Sequence, residues 1–219
     1  MRNAKYKNIL MPKPQTGVLV VIVAVVIWFF SSFDESLFDF GVSTPLTNYM
    51  LLSLGNMAWV SRILGLVLVL IISFLLVRLN ERYNIIRIQT FLPALFYVLM
   101  VGTVDNSSNV LNGGIIAAFF ILLSISELLS DSKVSGRQSH KAFNVFLLLS
   151  LATLFYFELI VLVPFFWIGA VFFRMFDIRM FLASIVGFIF PYVFLVPIYI
   201  YWKGSSELLS ILQNRFTFK

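Results

Sequence analysis

Positive charge in this 219-residue chain is confined to short stretches that long apolar runs hold apart. Twelve of the 16 Lys and Arg fall in four clusters: Arg2/Lys5/Lys7/Lys13, Arg78/Arg82/Arg87, Lys133/Arg137/Lys141 and Arg174/Arg179. The acids Asp34, Glu35, Asp39, Asp105 and Glu158 fall in the gaps of the other parity. A chain threaded repeatedly through a bilayer records its sidedness in this way, because Lys and Arg are retained on the cytoplasmic side. The pattern gives a class, a location and a candidate working face. It does not give a reaction.

The apolar content makes the same demand. Hydrophobic residues are 60% of the chain and charged residues 12%, where a soluble domain has roughly 45–50% and 25%. A water-soluble core of this length cannot hide so much Phe, Leu, Ile and Val, so the bilayer is part of the solvent. The net charge of +6 fits anchoring to an anionic inner leaflet, because the basic residues flank apolar runs and do not gather on one polar face. Nucleic acid is not an expected partner. There is no Cys, which removes disulfides, thiolate metal sites, a cysteine nucleophile and an acylated Cys. The single His140 excludes a multi-histidine metal centre within the chain. No metal and no cofactor are expected.

Along the chain, residues 1–16 form a basic, Pro-containing lead. Gly17–Phe33 is uninterrupted apolar sequence without a small-x-small cleavage site, and reads as an uncleaved signal anchor with a cytoplasmic N-terminus. The loop from Asp34 to Asn56 carries three acids and no Lys or Arg. A second span runs from about Met57 to Val77, with Arg62 in its first turns, where its long side chain can snorkel. Arg78, Glu81, Arg82 and Arg87 mark a cytoplasmic turn. Phe91–Val104 is short: its 14 residues reach only about 21 Å against a hydrocarbon core of about 30 Å. Residues 85–90 can lengthen it, with Thr90 as a cap and Pro93 in the first turn. A fourth span covers about Val110–Leu129, and Asp131–Lys141 is the second large cytoplasmic loop.

Phe143–Phe173 admits two readings. It is 31 residues with one charge, Glu158. As a single helix it is about 46 Å long and needs a tilt of about 50°, beyond the usual range of roughly 0–40°. As a hairpin it turns at Tyr156-Phe157-Glu158, with Pro164 early in the second arm. Length favours the hairpin. The charge rule accepts six or seven spans almost equally. The last span, about Met180–Trp202, contains Pro191 and Pro197, which kink it. Tyr199, Tyr201 and Trp202 form an interfacial aromatic belt.

The expected fold is therefore all-α: a polytopic transmembrane helical bundle of about seven spans, including a short helical hairpin, with no soluble domain. Residues 1–219 form a single integral membrane domain. It divides into the basic lead over 1–16, the spans over 17–202 and an amphipathic interfacial tail over 203–219.

The candidate site residues follow from sidedness. Asp34, Glu35 and Asp39 lie in the first outer loop, and Asp105 and Glu158 approach from two others. A carboxylate at a dry interface can act as a general base, which makes Asp34, Asp39 and Glu158 the catalytic candidates. The plainer reading is that acids keep loops out of lipid and that Glu158 marks a turn in headgroup water. Arg62, Arg174 and Arg179 can bind lipid phosphate or simply anchor the topology. Ser73, Ser124, Ser126, Ser150, Thr153 and Ser184 lie inside spans, where such residues more often join helices than line a path. No P-loop, GxSxG or HExxH pattern is present.

Two stretches carry a resemblance. One is Phe91-Leu92-Pro93-Ala94-Leu95-Phe96-Tyr97-Val98-Leu99. The other runs from Leu154-Phe155-Tyr156-Phe157 through Arg174-Met175-Phe176-Asp177-Ile178-Arg179 to Gly187 and Pro191-Tyr192. In that order they resemble an uncharacterised family of bacterial multi-pass inner-membrane proteins, over most of residues 57–195. The resemblance implies a bacterial inner-membrane location and no established activity. Some relatives are labelled carotene oxygenase, but such enzymes hold iron with four His and this chain has only His140. More loosely, the layout looks like the membrane half of polyprenyl-phosphate-sugar-dependent glycosyltransferases. That analogy implies Asp34 or Asp39 as the acceptor-activating base. The leading expectation is an accessory or structural protein of the cell envelope, whose partners are membrane lipids and other envelope membrane proteins. A lipid-linked-sugar transferase, or a remnant of one, comes second. A small transporter is third, without duplicated halves to support it.

Overall fold

The structure, a computed structural model, describes residues 14–30, 58–83, 90–103, 111–130, 138–172 and 177–203. These form seven α-helices and one 3-10 turn: α1 Pro14–Phe30, α2 Ala58–Tyr83, α3 Leu92–Thr103, α4 Gly113–Leu129, α5 Gln138–Phe155, the 3-10 turn Phe157–Val161, α6 Leu162–Phe172 and α7 Ile178–Lys203. No strand occurs among the described residues, in agreement with the all-α expectation.

The helix boundaries follow local chemistry more than polarity. α1 starts at Pro14, inside the basic lead, because Pro is preorganised for a first helical position and has no N–H to lose there. α2 runs six residues past Val77, carrying Arg78, Glu81 and Arg82 on its last turns. Those residues are good helix formers, so leaving an apolar layer does not end the helix. α3 starts at Leu92 with Pro93 in its first turn, as its sequence predicts. α4 is capped by Asn112, whose Oδ1 accepts from Ile115 N at 2.8 Å.

Each helix buries a narrow stripe. On α1 it is Val20, Ala24 and Trp28, on α2 it includes Ser61, Gly65, Val69 and Ile72, and on α3 it is Ala94 and Val98. These i, i+4 spacings place one face of each helix inward. The opposite faces are also apolar and remain exposed, Phe29, Ile63, Phe74, Phe96 and Val193 among them. A helix in water hides its apolar side and shows a polar one, so this pattern is inside out for a soluble protein. Two helices, Trp59–Tyr83 and Ile178–Leu195, are long and apolar enough to cross a membrane. Only 33% and 22% of their apolar windows are buried, whereas a soluble core helix is mostly buried.

The chain runs back and forth. Gly17 near the start of α1 faces Phe91 at the start of α3, and Gly102 near the end of α3 faces Ile27 near the end of α1, so α1 and α3 run parallel. Between them in sequence, α2 runs opposite, joining its start to the end of α1 through Arg62 and Trp28. Leu111 N donates to Ser61 O at 3.2 Å, and Tyr83 Oη donates to Ser126 O at 3.4 Å, so α4 shares the direction of α2.

The stretch 143–172 is a hairpin. The helix breaks at Tyr156, whose backbone is extended at φ −142° and ψ 96°. α6 then returns along α5, placing Phe166 on Phe146 and Ala170 beside Ala142. Met180 at the start of α7 joins the same Ala142 cluster, and Ser150 meets Phe188 further along. Thus α5 and α7 run parallel, with α6 antiparallel between them in sequence. α5 buries two adjacent stripes and is the central helix of this half. α4 joins the halves: Ile115 and Phe119 pack into the α1–α3 core, while Ile125 and Leu128 pack against α5 and α6.

Candidate functional site

The alternation sorts the described charges into two layers. One end of the bundle carries Arg78, Glu81 and Arg82 on α2, Glu127 on α4, His140 and Lys141 on α5, and Asp177 and Arg179 at the start of α7. The other carries Arg62 at the start of α2, Glu158 on the hairpin turn and Lys203 at the end of α7. The described helix lengths between the layers hold no charged side chain.

At the Arg62 end, a reciprocal pair joins two helices. Trp28 Nε1 donates to Arg62 O at 3.1 Å, and Arg62 Nη2 donates to Trp28 O at 2.8 Å. Trp28 O is among the last four carbonyls of α1, which lack helical donors and carry the negative end of its dipole. Arg62 therefore caps a neighbouring helix. Sequence reasoning missed this role. The signal was available in outline, since adjacent antiparallel helices place the end of one beside the start of the next. At the other end, the buried Lys141 donates to Ser130 O at the C-terminus of α4, with the same dipole logic.

Glu158 lies exposed in the first part of the 3-10 turn and accepts from Tyr156 Oη at 2.9 Å. Its phenol partner holds the carboxylate at the tip of the hairpin. Arg179 is exposed in the first turn of α7, beside Asp177, whose Oδ1 accepts from Ile178 N at 2.8 Å. Asp34, Asp39, Asp105 and Arg174 lie outside the described residues. The expected convergence of Asp34 or Asp39 with Asp105 or Glu158 therefore falls outside the described residues. Among the described residues no group of three or more His, Cys, Asp or Glu can hold a metal ion.

The hydroxyls inside the bundle form helix-to-helix joints. Ser124 Oγ donates to Val145 O at 2.8 Å and Ser150 Oγ to Phe188 O at 2.6 Å. Thr153 gives its only proton to Ser150 O at 2.7 Å, so Tyr192 must donate to Thr153 Oγ1 across 2.8 Å. Trp167 Nε1 donates to Ser184 Oγ at 3.0 Å, and Ser184 in turn donates to Phe181 O at 2.7 Å. The Ser150 bond falls beside Gly187 O, the carbonyl that Pro191 leaves without its helical donor.

These features define an all-helical bundle with polar ends, an apolar waist and hydroxyl joints between its helices. No protein-family model, curated protein or solved structure matches the chain.

Proposed function

We propose that the chain is a multi-pass integral membrane protein of the bacterial inner membrane that works as an accessory or structural component of the envelope. In this reading all seven helices cross the bilayer in alternation, with the N-terminus cytoplasmic. The observation that carries it is the separation of charge into two layers around a waist whose outer surface is apolar. The interior polar groups support a scaffold over a transporter: Ser124 and Ser150 donate to carbonyls of a neighbouring helix, and Thr153 and Ser184 bond within their own helix while accepting from Tyr192 and Trp167 of another. The family resemblance quoted above points to the same class.

The test is purification in mild detergent. An accessory protein brings a stoichiometric membrane-protein partner that survives a second column. A co-purifying polyprenyl lipid instead favours the transferase reading, which rests here on the exposed carboxylate of Glu158 at a hairpin tip. In that case Asp34→Asn, Asp39→Asn and Glu158→Gln each abolish transfer. If neither partner nor lipid is retained, the accessory reading fails.

A further inference from the structure

The height of the apolar waist is fixed by hydrogen bonds at both ends, and it is short. Ser61 O accepts from Leu111 N, next to the cap Asn112, at the level of the Trp28–Arg62 pair. At the far end, Ser130 O accepts from Lys141, and Ser130 bonds back to Glu127 O at 2.8 Å. On α4 alone, the rise from Asn112 to Glu127 is about 22 Å, and from Asn112 to Ser130 about 27 Å. On α2, Arg62 and Arg78 are about 24 Å apart along the axis. On α5, Lys141 lies about 21 Å from Phe155, where the helix ends just short of Glu158. Three helices in two halves of the bundle thus agree on about 21–27 Å, and any tilt shortens the projection. An average bilayer core is about 30 Å.

Arg62 does not escape by reaching outward, because its guanidinium is bonded to Trp28 O within the bundle. Lys141 is buried against Ser130. Two of the cations that set the layers are therefore held at their depth by the fold. α2 and α7 are equally long at 26 residues, but α2 carries Arg62 and Arg78 within its length, whereas α7 has no charge between Arg179 and Lys203 and contains Pro191 and Pro197. Kinking and tilt are how a long helix fits a thin layer.

We propose, building on the membrane reading, that this protein binds a compressed lipid annulus and selects phospholipids with short acyl chains. The apolar surface of α1, α2, α3, α6 and α7 is the interaction surface, and chains shorter than the bulk are its partner. The mismatch is several ångströms. Fractions of a kcal/mol per ångström then amount to about a threefold to fivefold preference between short and long chains.

The test uses the whole protein reconstituted in vesicles of dimyristoleoyl, dioleoyl or dierucoyl phosphatidylcholine. Each is titrated with its brominated analogue, and quenching of the native Trp gives relative lipid affinity. Trp59 is 62% exposed, one turn before Arg62, and reports the rim of the annulus. Affinity highest for dimyristoleoyl and about threefold to fivefold weaker for dierucoyl chains supports the proposal. A maximum at dioleoyl or longer chains overturns it while leaving the membrane reading intact. Alkaline carbonate extraction of the same vesicles separates the two failures: release of the protein into the supernatant overturns both.

Discussion

At Gly187 the backbones of α5 and α7 come into close contact. A Cβ there would sit 2.5 Å from Phe143 O and 3.1 Å from Phe143 Cα, and backbone cannot turn aside as a side chain can. Gly187→Ala should push α5 from α7 and lower stability by about 1–3 kcal/mol, read as a fall in the thermal unfolding midpoint in detergent. Gly169→Ala is the control, since its Cβ would meet only the flexible end of Leu128 at 3.4 Å. It should leave the midpoint nearly unchanged. Arg62 makes a second prediction at this scale. Arg62→Ala removes the donor to Trp28 O and should destabilise by about 1–3 kcal/mol. Arg62→Lys should recover part of that loss, because the charge still faces the C-terminal carbonyls of α1 while the planar fork is gone. If both variants unfold like the parent chain, the pair is ornamental.

Among the elements, the hairpin α5–α6 decides how many times the chain turns. Its break needs no proline or glycine at Tyr156: the extended residue stops α5, and the 3-10 turn that contains Glu158 follows. Cysteine substitution tests the turn cleanly, because the chain has no Cys of its own. Glu158→Cys should react with a membrane-impermeant maleimide in spheroplasts. Arg82→Cys, at the opposite end of the bundle, should react only after the membrane is opened. Labelling of both from the same side would mean that the hairpin arms and α2 do not alternate as described. The joint between α5 and α7 is smaller in energy. Ser150→Ala should cost about 0.5–1 kcal/mol, as other hydroxyl joints between membrane helices do, with the loss seen as faster thermal unfolding.

For the molecule as a whole, α1 and α7 run in the same direction and end at the same face. A reporter fused after Lys219 should therefore read the side opposite to the N-terminus. A cytoplasmic signal from that fusion would restore the six-span arrangement. The alternation also explains why the charge pattern alone left the question open. Moving one short hairpin in or out of the bilayer changes the parity of only the last few basic residues, so the sum over the chain hardly moves. Contacts show the hairpin itself, because Ala170 can lie beside Ala142 only if α6 comes back along α5.

Sequence by itself determined the all-α class, the approximate apolar helices and the two polar ends. Those follow from transfer energetics summed over twenty-odd residues, and such sums are robust to detail. It also placed Pro93, Pro164 and the break near Tyr156 correctly, because backbone chemistry acts locally. Other features came only from the tertiary structure. α2 continues past its charges, since helix propensity ignores the apolar edge. Asn112 caps α4, and Arg62 caps α1. Thr153 and Tyr192 meet although 39 positions apart. The height of the waist belongs with these, for it depends on which helix ends are bonded at the same level. Pairings between distant residues carry no periodic signal along the chain; they exist only once the helices are packed.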